Sequence, residues 1–124
     1  MNETITISAR VFSRNIINKQ HWSQTRNQMK EYCLLVRNQM KLNKIEKVGL
    51  IAICKVHIEI GTKRVMDYDN MIGGAKQLTD SLWREGFMGD DSPKYTDLSY
   101  SHKKSKEYYV KITREVIDAN HKIA

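Results

Sequence analysis

The chain has 124 residues, of which 21 are lysine or arginine and 14 are aspartate or glutamate, giving a formal net charge of +7. This length suffices for one ordinary domain with a buried core and is short for two. Its two cysteines lie far apart and form no Cys-x-x-Cys or Cys/His motif, which argues against a zinc site or a disulfide scaffold.

The sequence has no apolar run of transmembrane length and no signal-peptide core near its start. We therefore expect a cytoplasmic protein that does not contact a membrane. In that compartment we expect both cysteines to be buried, reduced thiols.

The first half of the chain predicts a strand, a helix and a second strand. Residues 4–11 alternate between apolar and polar side chains, as in a half-buried strand, whereas residues 12–21 show no period and are predicted as a loop. Apolar residues at steps near three and four then predict a helix from Trp22 to about Met40, with Trp22 in its core stripe.

The most strand-like run, residues 48–60, is apolar along one face throughout and along the other only at its start, including Ile51. This pattern predicts a central strand that a helix covers at that end. His57 lies on the polar face of this strand, where a surface role is favoured over catalysis.

The second half predicts another helix and a hairpin. Asp69 or Asn70 is the expected N-cap of a helix whose core stripe runs from Met71 to Leu82. Because a glycine inside a helix costs about 1 kcal/mol, the pair at positions 73–74 indicates either a close backbone approach or a helix that becomes regular only after it.

Residues 95–100 and 108–113 are predicted as the two strands of a hairpin, joined by a basic turn. The order of elements predicts one α+β domain over residues 1–117, with helices packed on a small mixed β-sheet. Residues 118–124 are expected to form a C-terminal tail.

Two acidic clusters bracket the second helix: Asp67 and Asp69 before it, Asp90 and Asp91 after it, with Lys76 between them. Such carboxylates repel one another unless a cation neutralises them, and Mg²⁺ favours carboxylates together with substrate phosphate. Setting these four acids aside leaves ten acids against 21 bases, a surplus of 11 positive charges that suits a polyanionic substrate.

Several basic residues are candidate phosphate contacts: Arg14, Lys19, Arg26, Lys63 and Arg64. A calcium EF-hand is excluded, because the ligand positions counted from Asp67 fall on Met71 and Gly73. A helix cap followed by a turn, without any metal, remains the alternative reading of the acidic residues.

The segment 64–92 resembles the RusA-like family of Holliday-junction resolvases, found in bacteria and their phages. The shared pattern is Asp67-Tyr68-Asp69-Asn70, then Lys76 and Asp80 on the following helix, then Gly86 and Asp90-Asp91-Ser92. Lys76 stands farther from Asp69 than in the better-known members, and the extra residues fall within 72–75. The expected order of strands fits the family across nearly the whole chain.

The resemblance implies a small homodimeric endonuclease that cuts branched DNA with Mg²⁺, for which Mn²⁺ can substitute. It implies Asp67, Asp69, Asp91 and Lys76 as catalytic residues, with the three aspartates as metal ligands and Asp90 as a weaker ligand candidate. Carboxylate-held Mg²⁺ supplies the activated water and the charge neutralisation that phosphodiester hydrolysis needs.

The function expected from this resemblance is resolution of four-way junctions by paired symmetric nicks, in the recombination and repair of DNA in a bacterial or phage-infected cell. Two alternatives stay open. One is a flap or replication-fork nuclease of the same fold, and the other is a non-catalytic protein that binds branched DNA and uses its acidic residues structurally.

Overall fold

A four-stranded mixed sheet with helices packed on one face makes up the computed structural model, which describes residues 2–119. The strands are β1 (Asn2–Ile7), β2 (Ile53–Thr62), β3 (Thr96–Lys104) and β4 (Tyr109–Asp118). The helices are α1 (Arg14–Lys19), α2 (Trp22–Leu42), α3 (Tyr68–Gly74) and α4 (Lys76–Arg84). The predicted α+β class with a mixed sheet is confirmed.

The sheet has the order β1-β4-β2-β3, so the apolar strand β2 is internal, as predicted. It pairs parallel to β3 and antiparallel to β4, with Ile58 opposite Tyr100 on one side and Ile112 on the other. The predicted helix cover at its start is wrong, because β2 begins only at Ile53 and the preceding Ile51 is 38% exposed.

The core lies between the sheet and the helices α2 and α4. The buried face of β2 alternates as predicted, with Val56 and Ile58 inside. From the helices, Val36 of α2 and Leu78 and Leu82 of α4 complete this layer. Burying aliphatic side chains of this size contributes about 1.5–3 kcal/mol each, which makes this layer the main source of stability.

The opposite face of the sheet is polar. His57 lies there, and its two ring nitrogens contact the hydroxyls of Ser99 at 2.7 Å and Ser101 at 2.8 Å. Because His57 is exposed, the prediction that it is a surface residue is confirmed.

Trp22 does not join the core, contrary to prediction. It is the first residue of α2 and is 63% exposed, and the N-cap is the side chain of His21, which accepts from the amide of Ser23. Of the two free cysteines, Cys54 is buried as expected, whereas Cys33 is only half-buried. A first-turn residue has no preceding turn to pack against, which explains why the periodic pattern misplaced Trp22.

Several further predictions of element bounds and strand pairing need correction. Strand β1 is confined to Asn2–Ile7, and the segment 12–21 contains α1, whose first turn is capped by the hydroxyl of Ser13 at 3.3 Å from the amide of Ile16. The strands β3 and β4 lie on opposite sides of β2 instead of forming a hairpin. Strand β4 continues to Asp118, so the predicted tail starts inside it, and residues 120–124 lie outside the described part.

Within residues 2–119, no helix is both long enough and apolar enough to cross a membrane.

Candidate active site

The first acidic cluster stands where the loop from β2 enters α3. Asp67 is the N-cap of α3, in place of the expected Asp69 or Asn70, and its side chain makes no capping hydrogen bond. Asp69 lies in the first turn, and both side chains are exposed. Neither carboxylate has a hydrogen bond or ion pair with any residue of the described chain. Both are therefore available to an external cation.

The glycine pair explains how the helix beside this cluster is built. Helix α3 ends at Gly74, and Ala75 joins it to α4. A Cβ on Gly74 would collide with the backbone oxygen of Phe12, and one on Gly73 would collide with the guanidinium of Arg14. The predicted close backbone approach is confirmed, whereas a helix that becomes regular only after the pair is wrong, because α3 is helical from Tyr68 and includes both glycines.

Lys76 links helix α4 to the second acidic cluster. Its Nζ lies 3.1 Å from Oδ1 of Asp80 and 3.5 Å from Oδ2 of Asp91. The hydrogen bond to Asp80 is the chief cause that raises the pKa of Lys76, and the negative charge of Asp91 raises it further. The structure thus brings together Lys76 and Asp91, two of the four predicted catalytic residues.

Asp90 shapes the turn that carries Asp91. Its carboxylate accepts a hydrogen bond from the amide of Asp91 at 3.0 Å, and its own amide donates to the carbonyl of Leu50 at 2.8 Å. The preceding Gly89 leaves no room for a Cβ against the carbonyl of Ala52. These contacts give Asp90 a positioning role, while the side chain of Asp91 stays 34% exposed and faces Lys76.

Tyr100 lies beside Lys76 and the second acidic cluster, and the sequence analysis did not identify it as a site residue. Its hydroxyl is 2.8 Å from that of Thr79 on α4. Burial is the main cause that raises the pKa of Tyr100, and the negative charge of Asp91 adds to the increase, while the hydrogen bond to Thr79 and the charge of Lys76 oppose it. The hydroxyl therefore lies within electrostatic range of Asp91 and Lys76.

No group of three or more His, Cys, Asp or Glu side chains within residues 2–119 is arranged to hold a metal ion. Mg²⁺ needs no such group, because it usually keeps several waters and takes one or two carboxylates together with substrate phosphate. Asp67 and Asp69 are two unpaired oxygen donors of this kind, so their chemistry fits Mg²⁺ or Mn²⁺. Asp91 differs from them because Lys76 already contacts it.

The five candidate phosphate contacts are all exposed cations. Arg14 lies against Gly73 of α3, and Lys63 and Arg64 lie in the loop that leads into Asp67. Lys19 and Arg26 lie farther along, at the end of α1 and in the second turn of α2, where the guanidinium of Arg26 stacks 4.3 Å from the ring of Trp22. The salt bridges of the described chain include none of the five.

Comparison of the chain with protein-family models found no match, and comparison with curated proteins found none either. The resemblance to the RusA-like family therefore rests on the motif within residues 64–92 and on what this site can do chemically.

Proposed function

We propose that this protein is a Mg²⁺-dependent endonuclease that cuts branched DNA, with the four-way junction as its main substrate. The observation that carries the proposal is the arrangement of charges on two consecutive helices. Asp67 and Asp69 at the start of α3 have no partner in the described chain, and Lys76 at the start of α4 lies 3.5 Å from Oδ2 of Asp91. Two carboxylates open to a cation and a lysine that contacts a third carboxylate are the groups that metal-dependent phosphodiester hydrolysis needs.

The unpaired carboxylates of Asp67 and Asp69 are the proposed ligands of Mg²⁺. When bound, the ion supplies an activated water and neutralises charge on the scissile phosphate. Lys76 stabilises the negative charge that develops on the phosphate oxygens. Its raised pKa keeps it protonated well above neutral pH.

Asp91 and Asp80 hold the Lys76 ammonium group from two sides, at 3.5 Å and 3.1 Å. Asp91 is the proposed further ligand, through the carboxylate oxygen that does not contact Lys76. Asp90 acts through Asp91, because its carboxylate holds the backbone amide that orients the turn.

The cations around the site hold the DNA backbone. Lys63 and Arg64 precede the start of α3, and Arg14 lies against Gly73 near its end. None of the three forms a salt bridge within the described residues, so their charge is available to phosphates. Binding through such contacts weakens steeply with salt, because each phosphate that is neutralised releases counterions.

The proposal includes a homodimer, since a two-fold pair of sites matches a four-way junction and produces paired symmetric nicks. Light scattering on the complex with DNA tests this part. A protein mass of 14.5 kDa, that of one chain, would contradict it.

The test of function is incubation with a synthetic four-way junction and Mg²⁺, with every cut mapped on each strand. Linear duplex of the same sequence, a flap and a replication fork serve as matched substrates, and EDTA serves as the metal-free control. We expect paired cuts in the junction and little cutting of the duplex.

Each other outcome has a definite meaning. Equal rates on duplex and junction would contradict structure specificity, and cutting in excess EDTA would contradict the role of the metal. Faster cutting of the flap or the fork would support the alternative nuclease, whereas tight binding without cutting would support a non-catalytic DNA-binding protein.

A further inference from the structure

A cleft of about 440 Å³ lies between the segment that follows β1 and the loop that joins β2 to α3. Its volume falls in the range of about 300–1,000 Å³ that small-molecule sites occupy. Its walls include Arg10, Ile16, Arg64, Val65 and Tyr108. Of the nine residues within 2–119 that line the cleft none is acidic, so no carboxylate of that part of the chain neutralises the guanidinium groups of Arg10 and Arg64 there.

Arg10 is held in place by aromatic rings. Its guanidinium carbon lies 4.6 Å from the centre of the Phe12 ring and 4.8 Å from that of Tyr108. The ammonium of Lys63 approaches the same Tyr108 ring at 5.4 Å. Such cation–π contacts orient the guanidinium without cancelling its charge.

Apolar side chains line the cleft as well, and two of them are open to solvent. Val65 is 73% exposed and Ile16 is 39% exposed, and both line the cleft beside the charged groups. A ligand that is only a phosphate would leave this apolar surface in water, and a purely apolar ligand would leave two guanidinium groups without a counterion. A nucleotide satisfies both requirements, because its flat base covers the apolar surface and its anionic phosphate pairs with the guanidinium groups.

The cleft also adjoins the proposed catalytic carboxylates. Arg64, Val65 and Met66 line it, and the next residue along the chain is Asp67. We propose that the cleft binds one unpaired nucleotide of DNA, with its base against Val65, Ile16 and Tyr108 and its phosphate at Arg10 and Arg64. This inference rests on the proposed function for its meaning: the substrate is then DNA with an unstacked nucleotide close to the cut.

Binding of a fluorescently labelled, short single-stranded oligothymidylate in EDTA tests the cleft apart from catalysis. The informative variant is Val65→Asp, which adds a carboxylate beside Arg10 and Arg64. The matched control is Ile117→Asp, which adds the same charge at a 59% exposed position at the opposite end of β4 from Tyr108. Thermal unfolding of both variants checks that each remains folded.

We expect Val65→Asp to weaken binding by about tenfold or more and Ile117→Asp by less than about twofold, since base stacking and phosphate contact are both disturbed only in the cleft. Tyr108→Ala should weaken binding by about fivefold or more, while Tyr108→Phe keeps the ring and stays near the parent. Equal losses for the two aspartate variants, or no binding by the parent, would overturn the inference.

The junction-cleavage assay separates this inference from the proposed function. Cleavage by the parent together with unchanged oligothymidylate binding by Val65→Asp would overturn the cleft and leave the nuclease standing. Loss of oligothymidylate binding in Val65→Asp would support the cleft even if the parent cuts no junction, and in that case only the proposed function fails.

Discussion

Arg114 and Lys76 both contact carboxylates, but Arg114 is buried and Lys76 is exposed. Arg114 of β4 is 2% exposed and donates to the carboxylate of Glu3 at 3.0 Å and to the carbonyls of Phe87 at 3.0 Å and Glu46 at 2.7 Å. Lys76 has a side chain that is 64% exposed, and its two contacts are the carboxylates of Asp80 and Asp91.

The difference separates a stabilising charge from one that can act on a ligand. The guanidinium of Arg114 donates its hydrogen bonds to groups of the protein, and it also packs 5.1 Å from the centre of the Phe87 ring. Lys76 has an ammonium group with three donors on a side chain that is 64% exposed, so it keeps donor capacity in solvent. A group whose hydrogen bonds are all satisfied internally has little to offer a substrate, whereas an incompletely paired site has both charge and open coordination.

The largest expected effect is on the free energy of unfolding, when the buried cation Arg114 is removed. Replacing Arg114 by Leu leaves the carboxylate of Glu3 and the carbonyls of Glu46 and Phe87 without their donor, so we expect a loss of about 3–5 kcal/mol in the free energy of unfolding. Urea titration measures it. Lys111→Ala removes an exposed cation from the same strand and should change stability by less than about 0.5 kcal/mol. A similarly small change for both variants would show that Arg114 does not stabilise the fold, and it would contradict the distinction drawn between Arg114 and Lys76.

The next largest expected effect is on the rate of cleavage, with the free energy of unfolding unchanged. Asp69→Asn keeps the shape and one oxygen acceptor but removes the charge that holds Mg²⁺, so single-turnover cleavage of a junction should slow by at least about a hundredfold. Binding of the junction, measured by gel shift in Ca²⁺ or EDTA, should stay equal or become tighter because repulsion with DNA phosphates decreases.

The matched control is Asp97→Asn, which makes the same change at an exposed position on β3 and should cleave at the parental rate. The free energy of unfolding should change by less than about 0.5 kcal/mol in both variants. Near-parental cleavage by Asp69→Asn would mean that the acidic cluster is structural.

Much of the fold follows from local patterns in the sequence. The buried face of β2 was predicted correctly because alternation reports which side of a strand faces the core. The glycine pair predicted a close backbone approach because glycine is otherwise unfavourable within a helix. In the same way, the motif from Asp67 to Asp91 grouped Lys76 with Asp91, and the structure places them 3.5 Å apart.

The parts that were missed depend on contacts between distant segments. Tyr100 entered the site because β3 pairs parallel to β2, and alternation alone does not show which strands become neighbours. Helix α1 has only six residues and none is buried, so it carries no apolar period that a sequence reading could detect.

A third ion pair, intermediate in burial, tests how stability depends on exposure. Arg37 of α2 donates to both carboxylate oxygens of Glu85 after α4, at 2.7 Å and 3.2 Å, with side-chain exposures of 45% and 9%. This hydrogen bonding is the main cause that lowers the pKa of Glu85. The stabilisation is therefore complete above the ordinary glutamate pKa of about 4.3 and is lost as the pH falls through the lower value in the folded state.

We expect Arg37→Ala to lower the free energy of unfolding at neutral pH, by less than Arg114→Leu does, since the pair is charge-assisted but partly screened by water. The deficit should shrink when urea titrations are repeated at progressively more acidic pH. Arg26→Ala removes an exposed arginine of α2 that has no salt bridge among the described residues and should show no such pH dependence. A deficit for Arg37→Ala that is constant with pH would contradict the assignment.

The smallest effect concerns how Lys76 is held. Asp80 accepts from Lys76 at 3.1 Å and from the indole nitrogen of Trp83 at 3.2 Å, through the same oxygen. Asp80→Asn keeps an acceptor for both donors but removes the charge, and Asp91 still attracts the ammonium. Because an exposed ion pair contributes about 0.2–1 kcal/mol, cleavage should slow by only about threefold, and Lys76→Ala should slow it considerably more.

The pH dependence of cleavage distinguishes positioning of Lys76 from a purely structural role of Asp80. In the parent, Asp80 is the chief cause that raises the pKa of Lys76, so Asp80→Asn lowers that pKa and Lys76 loses its proton at a lower pH. The alkaline decline of the single-turnover rate should therefore begin at lower pH in Asp80→Asn than in the parent, while Lys76→Ala should lack this decline altogether. If Asp80→Asn slows cleavage equally at every pH, then Asp80 supports the helix through Trp83 and the charge on Lys76 does not govern the rate.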